Sequence, residues 1–262
     1  MTEHKTLENI LPKGDIIDKT QHHNLENTLP KARQYFILDI IKSDKFIKVS
    51  ELSKKLYINE ATIRRDLKSL EQEGLVKRVY GGAVLSNGQD SEIPLMHREV
   101  KNAAQKKQIA ENAAKEVENG DTIFLDSSST VSFMIPFLES KSGLRIVTNG
   151  AKTALLLSRL HNAEIISLGG RLRENSLSFS GQSTFQSLSE YFFDKAFFSC
   201  HAYSEEFGLM DNNEDEARLR RLLISRSRKA YFLADASKEG NTSFFKICDI
   251  DEIYKIITEP KI

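Results

Sequence analysis

The apolar positions of this chain change their period along its length. Between residues 31 and 76 they recur at spacings of three and four, the mark of one-sided helices. Ile37, Leu38 and Ile41 predict a helix over 31–42, and Leu52 and Leu56 mark a second. Ile63, Leu67 and Leu70 line the buried side of a third. Tyr57-Ile58-Asn59 separates the last two by a turn of helix-turn-helix length. Ser50 stands where an N-cap belongs, with Glu51 inside the first turn; Asn59 is the second N-cap candidate and Gly74 fits the C′ stop. Lys77 and Arg78 then lie on a short strand that ends at Gly81-Gly82.

Beyond about residue 101 the rhythm alternates. Ile109, Ala113 and Val117 form a helical stripe closed by Gly120, and Ile123–Leu125 is a short apolar run. A helix through Val131–Leu138, a run at Leu144–Val147, a helix through Ala151–Leu160 and a run at Glu164–Leu168 follow. Later runs are Ala196–Ser199, Tyr231–Ala234 and Tyr254–Ile257, with a helix through Ala217–Ser227 between the first two. Short apolar runs alternating with helices predict a parallel sheet covered on both faces. The expected architecture is α/β: an N-terminal winged helix-turn-helix domain, then a parallel-sheet α/β effector-binding domain. The boundaries read as a loose polar arm over 1–29, the helix-turn-helix unit over 30–85, a linker over 86–100 containing Asn87-Gly88 and Pro94, and the α/β unit over 101–262.

The outward face of the third helix carries Ala61, Thr62, Arg64, Arg65 and Lys68. An Arg can donate two hydrogen bonds to a guanine edge in a major groove, and small residues let the helix approach. With Ser50 and Asn59 at the caps and Lys77 and Arg78 on a wing that tracks phosphates, these are the candidate contacts to duplex DNA. Charge supports this division. The whole chain balances 37 basic against 37 acidic residues, yet 31–85 holds 12 Lys/Arg against 7 Asp/Glu, so the remainder is acidic.

Ligands of a parallel sheet bind beyond the carboxyl ends of its strands. Four polar turns are expected there: Asp126-Ser127-Ser128-Ser129-Thr130, Thr148-Asn149-Gly150, Gly169-Gly170-Arg171 and Asp235-Ala236-Ser237-Lys238. The first puts hydroxyls and backbone N–H groups at a helix start, a cradle for an anion, although the same residues could serve as a plain cap. Cys200 and Cys248 lack metal-ligand or redox spacing and read as buried thiols, so no metal site and no cofactor is expected. No stretch reaches the roughly 20 apolar residues of a membrane span, and the N-terminus lacks a secretory core, which points to the cytoplasm.

TIRRDL at 62–67, RVYGGA at 78–83, IFLDSSST at 123–130, VTN at 147–149, LGGRLREN at 168–175 and LADASKEG at 233–240 together resemble the DeoR family of bacterial transcription regulators. The resemblance runs in order from about residue 31 to about 258. It implies a sensor domain related to sugar-phosphate isomerases, and repression of carbohydrate-use genes relieved by a phosphorylated sugar. Carried over by position, Asp126 and Ser127–Thr130 would hold the phosphate, with Asn149, Gly169, Gly170, Arg171 and Lys238 around the rest. Ser128 stands where the family often has Gly, Tyr80 where it often has His, and Glu259 where Asp is usual. The expected partners are operator DNA, a phosphorylated sugar and a second copy of the chain, as a homodimer or homotetramer. An active sugar-phosphate isomerase and a transcription activator are the alternatives; for the former, Glu205, Glu206, Asp215 and Glu216 are available, but none stands in a pattern that marks a base.

Overall fold

A computed structural model describes residues 30–44, 46–86 and 93–259 of the chain. They form two compact units, divided between Ala104 and Gln105. The expected arm over 1–29 and the Asn87-Gly88 turn lie outside the described residues.

The first unit runs α1 (Pro30–Asp44), β1 (Phe46–Lys48), α2 (Val49–Leu56), α3 (Glu60–Gln72), β2 (Val76–Val79), β3 (Gly82–Leu85) and α4 (Leu95–Val100). The strands make a small antiparallel sheet in the order β1-β3-β2. The eight apolar positions read from helical spacing all enter one core, joined by Ile47, Ile58 and Leu75. Asn59 caps α3 as expected, its side chain accepting from the Thr62 N–H at 2.8 Å. Gly74 takes a positive φ of 71° just past the helix end.

Two expectations fail here. Ser50 is not the N-cap of α2: the helix begins at Val49, and Lys48 occupies the cap. The reason is tertiary, because Val49 is buried and its N–H donates to the Gly81 carbonyl at 2.9 Å, so strand β1 turns into the helix without a spacer. The segment read as a linker also holds structure. Residues 95–100 form α4, which packs on α1 and buries His97 between the Lys31 carbonyl and Glu73.

One charge pair lies inside this small core. Asp66 occupies the buried side of α3 beside Leu67, and Arg33 of α1 grips it with two hydrogen bonds, one of 2.9 Å from Nη2 to Oδ1. The pair ties the angle of α3 to α1.

The second unit runs α5 (Ala103–Lys115), β4 (Thr122–Leu125), α6 (Ser129–Ser132), β5 (Leu144–Thr148), α7 (Ala151–Leu157), β6 (Ala163–Ser167), β7 (Arg171–Arg173), β8 (Ser178–Ser180), α8 (Gln182–Ser189), β9 (Phe193–Phe198), β10 (Ala202–Ser204), β11 (Gly208–Asp211), α9 (Glu214–Ser225), β12 (Ser227–Leu233), β13 (Phe245–Cys248) and β14 (Lys255–Ile257). Six strands form an all-parallel sheet in the order β14-β12-β9-β4-β5-β6. These are the six apolar runs of the sequence. Successive residues alternate between two cores: Phe124, Val147, Ala196 and Phe232 face α8 and α9, while Ile123, Ile146, Phe197 and Tyr231 face the other way with α5. Both faces are apolar, which is why the strands read as continuous runs.

The helix expected over Val131–Leu138 breaks into α6 and a 3-10 turn at Ile135–Leu138. Pro136 has no N–H to continue a helical ladder. The antiparallel pair β7–β8 and the sheet β10-β11-β13 went unread, because short strands such as Arg171–Arg173 and Ser178–Ser180 hold a single apolar residue between polar ones and make no apolar run. Strand order reverses between β4 and β9, so a crevice is expected beyond their carboxyl ends.

A single guanidinium clamps that crevice. Arg220 of α9 is buried, and its Nε donates to the Ser199 carbonyl at the end of β9 at 2.7 Å. Its Nη1 contacts Asp211 at 2.8 Å and Glu216 at 3.0 Å, and its Nη2 reaches Asp126 at 3.4 Å. Burial alone would raise the Glu216 carboxyl. Arg220, Arg173 and the Ser178 hydroxyl outweigh it and hold the group below the ordinary range. Burial raises Asp211, with Arg220 working against the rise.

Two stability outcomes are expected. Asp66→Ala leaves Arg33 buried without its carboxylate and costs about 3–5 kcal/mol in urea unfolding; a loss below about 1 kcal/mol would show that the pair does not hold α3. Arg220→Met costs a similar amount at neutral pH, since three buried carboxylates lose their common cation. The pH dependence should also invert. In the wild type the Glu216 contribution is present above its unfolded pKa and is lost as pH falls through its depressed folded pKa. In the variant the buried carboxyls titrate above their unfolded values, so stability recovers as pH falls toward 5. Urea midpoints from about pH 3 to 8 read both slopes, the wild-type loss below the ordinary carboxylate value and the variant's recovery above it.

Candidate DNA interface and effector site

The outward side of α3 is assembled as its spacing implies. Ala61, Arg64, Arg65 and Lys68 are exposed and Thr62 is half-buried, on the side opposite Ile63 and Leu67. Arg64 is engaged in an exposed i,i+4 pair with Glu60 at 2.6 Å, a contact weak enough to exchange for another partner. Arg65, Lys68 and Lys77 make no ion pair among the described residues. Lys77 and Arg78 lie exposed on β2, and Tyr80 stands fully exposed at the hairpin tip. Arg78 is not a loose cation: its N–H and its Nε both bond Glu71 near the end of α3, at 3.0 and 2.6 Å. That contact fixes the wing against the helix. Ser50 is exposed on the first turn of α2.

In the α/β unit the four polar turns all follow strand ends, after β4, β5, β6 and β12. The Asp126–Thr130 loop is buried throughout. Asp126 spends its carboxylate on the protein: Oδ1 accepts from the Ser128 N–H at 2.9 Å, and Oδ2 accepts from the Ser199 N–H at 3.0 Å and lies within 3.4 Å of Arg220. It shapes the loop and joins the ends of β4 and β9. Ser128 caps α6, accepting from the Val131 N–H. That helix is one turn long, so the anion-attracting dipole expected there is small, and local N–H groups and nearby cations carry the electrostatics.

Those cations are two lysines and Arg220. Lys106 of α5 is 4% exposed and donates to the Ser129 hydroxyl at 3.1 Å. Lys238 donates to the Ser199 hydroxyl and the Cys200 carbonyl, both at 2.6 Å. Ser127 abuts Gly150, where a Cβ would come within 3.0 Å of the Ser127 Cα, so only glycine allows the two loops to touch. Asn149 is buried; its Nδ2 reaches the Phe179 carbonyl at 3.5 Å, and its Oδ1 has no hydrogen-bond partner.

The third turn stands further out. Gly169 accepts from the Thr184 hydroxyl at 2.7 Å, and Gly170 adopts φ 145° with no room for a side chain beside Thr184. Arg171 is exposed and faces Asp215 at 3.6 Å rather than the Ser/Thr loop. The structure thus brings Asp126–Thr130, Asn149 and Lys238 together around the β4 and β9 ends and leaves Arg171 outside them. It adds Lys106, Ser199 and Arg220, which were missed, and Glu216, which the sequence offered only as an available carboxylate. A signal existed for two of these. Lys106 precedes Ile109 and Ala110 by three and four residues, and Arg220 lies between Ala217 and Leu223 at spacings of three, so each charge occupies an apolar stripe. Burial pushes the thiols of Cys200 and Cys248 up to about 12, which leaves them unreactive. Among the described residues no cluster of His, Cys, Asp and Glu is placed to hold a metal, and no helix is long and apolar enough to cross a membrane.

Comparison with known proteins follows the same division. The DeoR-like helix-turn-helix domain matches residues 33–89, and the DeoR C-terminal sensor domain matches residues 101–260. An HTH-type transcriptional regulator of Bacillus subtilis, YulB, is 41% identical over 227 residues, covering 87% of this chain and 88% of its own. A putative aga operon transcriptional repressor of Escherichia coli O157:H7 is 32% identical, covering 87% of this chain and 85% of its own. A lactose phosphotransferase system repressor of Staphylococcus epidermidis is 29% identical, covering 85% and 89%. With a helix-turn-helix reader, a strand-end sensor and both family signatures in order, this chain belongs to the DeoR family of DNA-binding transcription regulators.

Proposed function

We propose that this regulator represses carbohydrate-metabolism genes in the cytoplasm and leaves its operator when a phosphorylated sugar binds beyond the ends of β4 and β9. The observation that carries the reading is Lys106, a buried ammonium bonded to a hydroxyl of the Ser/Thr loop, with Lys238 from the turn after β12 and Arg220 from α9 nearby. Two lysines around backbone N–H groups and hydroxyls suit a phosphate, while Arg220 offsets the carboxylates beside them. Ser127, Ser128, Ser129 and Thr130 supply the cradle, while Asp126 positions it. Asn149 and Lys238 flank the ligand, and Gly169 and Gly170 let the next loop approach. Relatives named as repressors of a lactose phosphotransferase system and of the aga operon support the carbohydrate reading. The working unit is a homodimer or homotetramer, since helix-turn-helix readers pair their recognition helices on two half-sites.

The isomerase alternative is disfavoured by charge. Proton transfer between carbons needs a poised base beside the substrate. Asp126, Asp211 and Glu216 are instead all engaged by Arg220, so none stands free to take a proton from a substrate. Purified protein should interconvert no aldose and ketose phosphates above background.

At the DNA, Arg64 and Arg65 should act differently, because neighbours on a helix point about 100° apart. One Ala substitution should cost about 1–3 kcal/mol and relax preference at one base pair. The other should weaken all sequences alike and reduce the salt slope by about one unit. Operator titrations at several salt concentrations separate the two, and unchanged affinity in both variants would remove α3 from the interface.

For the effector, a phosphorylated sugar should weaken operator binding by roughly 5–150-fold, a coupling of about 1–3 kcal/mol, and the free sugar should not. Operator DNA must then weaken the sugar phosphate by the same factor. Lys106→Met and Thr130→Val should abolish the response without loss of operator affinity. Calorimetry with matched phosphorylated and free sugars, with and without operator, decides; equal binding of the two sugars would end the phosphate reading.

A further inference from the structure

A second polar feature of the α/β unit lies one guanidinium away from the Ser/Thr loop. A cavity of about 40 Å³ opens between β8, α8 and α9, lined among others by Ser180, Gln182, Phe185, Asp215 and Glu216. Ser180 is 4% exposed, and its hydroxyl has no hydrogen-bond partner. Buried polar groups in folded proteins are almost always paired, so this one is short of a partner. The neighbouring serine on the same side of the strand is satisfied, because Ser178 donates to Glu216 at 2.8 Å. A cavity needs about 10–15 Å³ to hold one water, so this one has room for two or three hydroxyl-sized groups.

Its chemistry differs from that of the Ser/Thr loop. The lining offers two carboxylates, a hydroxyl and an amide beside one aromatic wall, with the Arg218 guanidinium 5.7 Å from the Phe185 ring centroid. The carboxylates accept hydrogen bonds and the Ser180 hydroxyl, the Gln182 amide and Arg218 donate them, a mixed set that suits sugar hydroxyls, which do both. Glu216 is fixed in the ionised form by Arg173 and Arg220. Arg220 also reaches Asp126 at the start of the Ser/Thr loop, so the anion cradle and the hydroxyl-accepting cavity share one cation.

We propose that the cavity at Ser180 and Glu216 takes the hydroxyl end of the phosphorylated sugar whose phosphate occupies the Ser/Thr loop, and that Ser180, Gln182 and Asp215 select among sugars. This rests on the phosphate reading above and adds a second pole to it. The ligand class is a sugar phosphate with free hydroxyls remote from its phosphate.

The test measures release of operator from the full chain by ribose 5-phosphate, fructose 6-phosphate and glucose 6-phosphate, by 2-deoxyribose 5-phosphate and 2-deoxyglucose 6-phosphate, and by inorganic phosphate. Ser180→Val removes the hydroxyl at similar size and should weaken the active sugar phosphates about tenfold or more, the worth of one good hydrogen bond. Its affinity for operator and for inorganic phosphate should stay as in the wild type. Ser180→Thr keeps the hydroxyl and should restore most of the response. Gln182→Ala, at an exposed helix position, should change the rank order of the panel even if Ser180→Val folds poorly. Unaltered affinity and rank order in both Ser180→Val and Gln182→Ala would overturn the proposal and leave the phosphate cradle standing. If no sugar phosphate in the panel acts on the wild type, the phosphate reading falls and this proposal falls with it.

Discussion

The α/β unit depends on one buried cation. Arg220 reaches from α9 to the end of β4 through Asp126, to the end of β9 through the Ser199 carbonyl, and to the end of β11 through Asp211. Taking such charges out of water is costly, and replacing a whole buried cluster with apolar residues is often neutral or stabilising in other proteins. Stability alone therefore gives little reason for the cluster. Its geometry gives a better one. Strands β4 and β9 flank the point where the sheet order reverses, and the guanidinium keeps the loops that follow them at one separation. A preorganised cleft loses less on binding than one assembled around its ligand.

The first unit uses charge in the same way on a smaller scale. Arg33 and Asp66 fix α3 against α1 from inside the core, and Arg78 and Glu71 fix the wing against α3 from outside. A reader of base edges needs its helix and wing in constant register, because a small tilt moves every side chain in the groove. The contacts that hold this register also use charged side chains. Arg78 is the clear case: an exposed cation of the wing that also bonds Glu71 of α3 through its N–H and its Nε.

Regulation adds a requirement that neither unit meets alone. A ligand shifts an equilibrium only by its difference in affinity for the two states. On the proposed function, the strand-end loops would need two arrangements, one favoured with a sugar phosphate and one compatible with operator. Lys106 stands where such a difference could begin, since it belongs to α5, the helix that follows α4 after two residues, and touches the Ser/Thr loop at Ser129.

How much of this was legible before the fold was known differs from element to element. The six sheet strands were readable because both faces are apolar, so each strand is a short unbroken run, and their carboxyl ends located the four polar turns. The core of the first unit was readable because Ile37, Leu52, Ile63 and their neighbours keep helical spacing, and Asn59 and Gly74 carry local chemistry that works wherever the helix lies. Ser50 failed because the start of α2 is set by a hydrogen bond from Val49 to Gly81, a partner 32 positions away that no local rule contains. The short antiparallel strands failed because three or four residues interrupted by polar or glycine positions make neither a period nor an apolar run. Sequence alone therefore determined the family, the two-unit plan and the turns that could bind. Only tertiary structure decided which charges meet: that Asp126 turns inward to Arg220, that Arg171 faces Asp215, and that Lys106 and Ser180 are buried. The physical reason is range, since propensity and periodicity act over one or two turns of chain, whereas an ion pair or an orphaned hydroxyl is created by residues brought together from across the sheet.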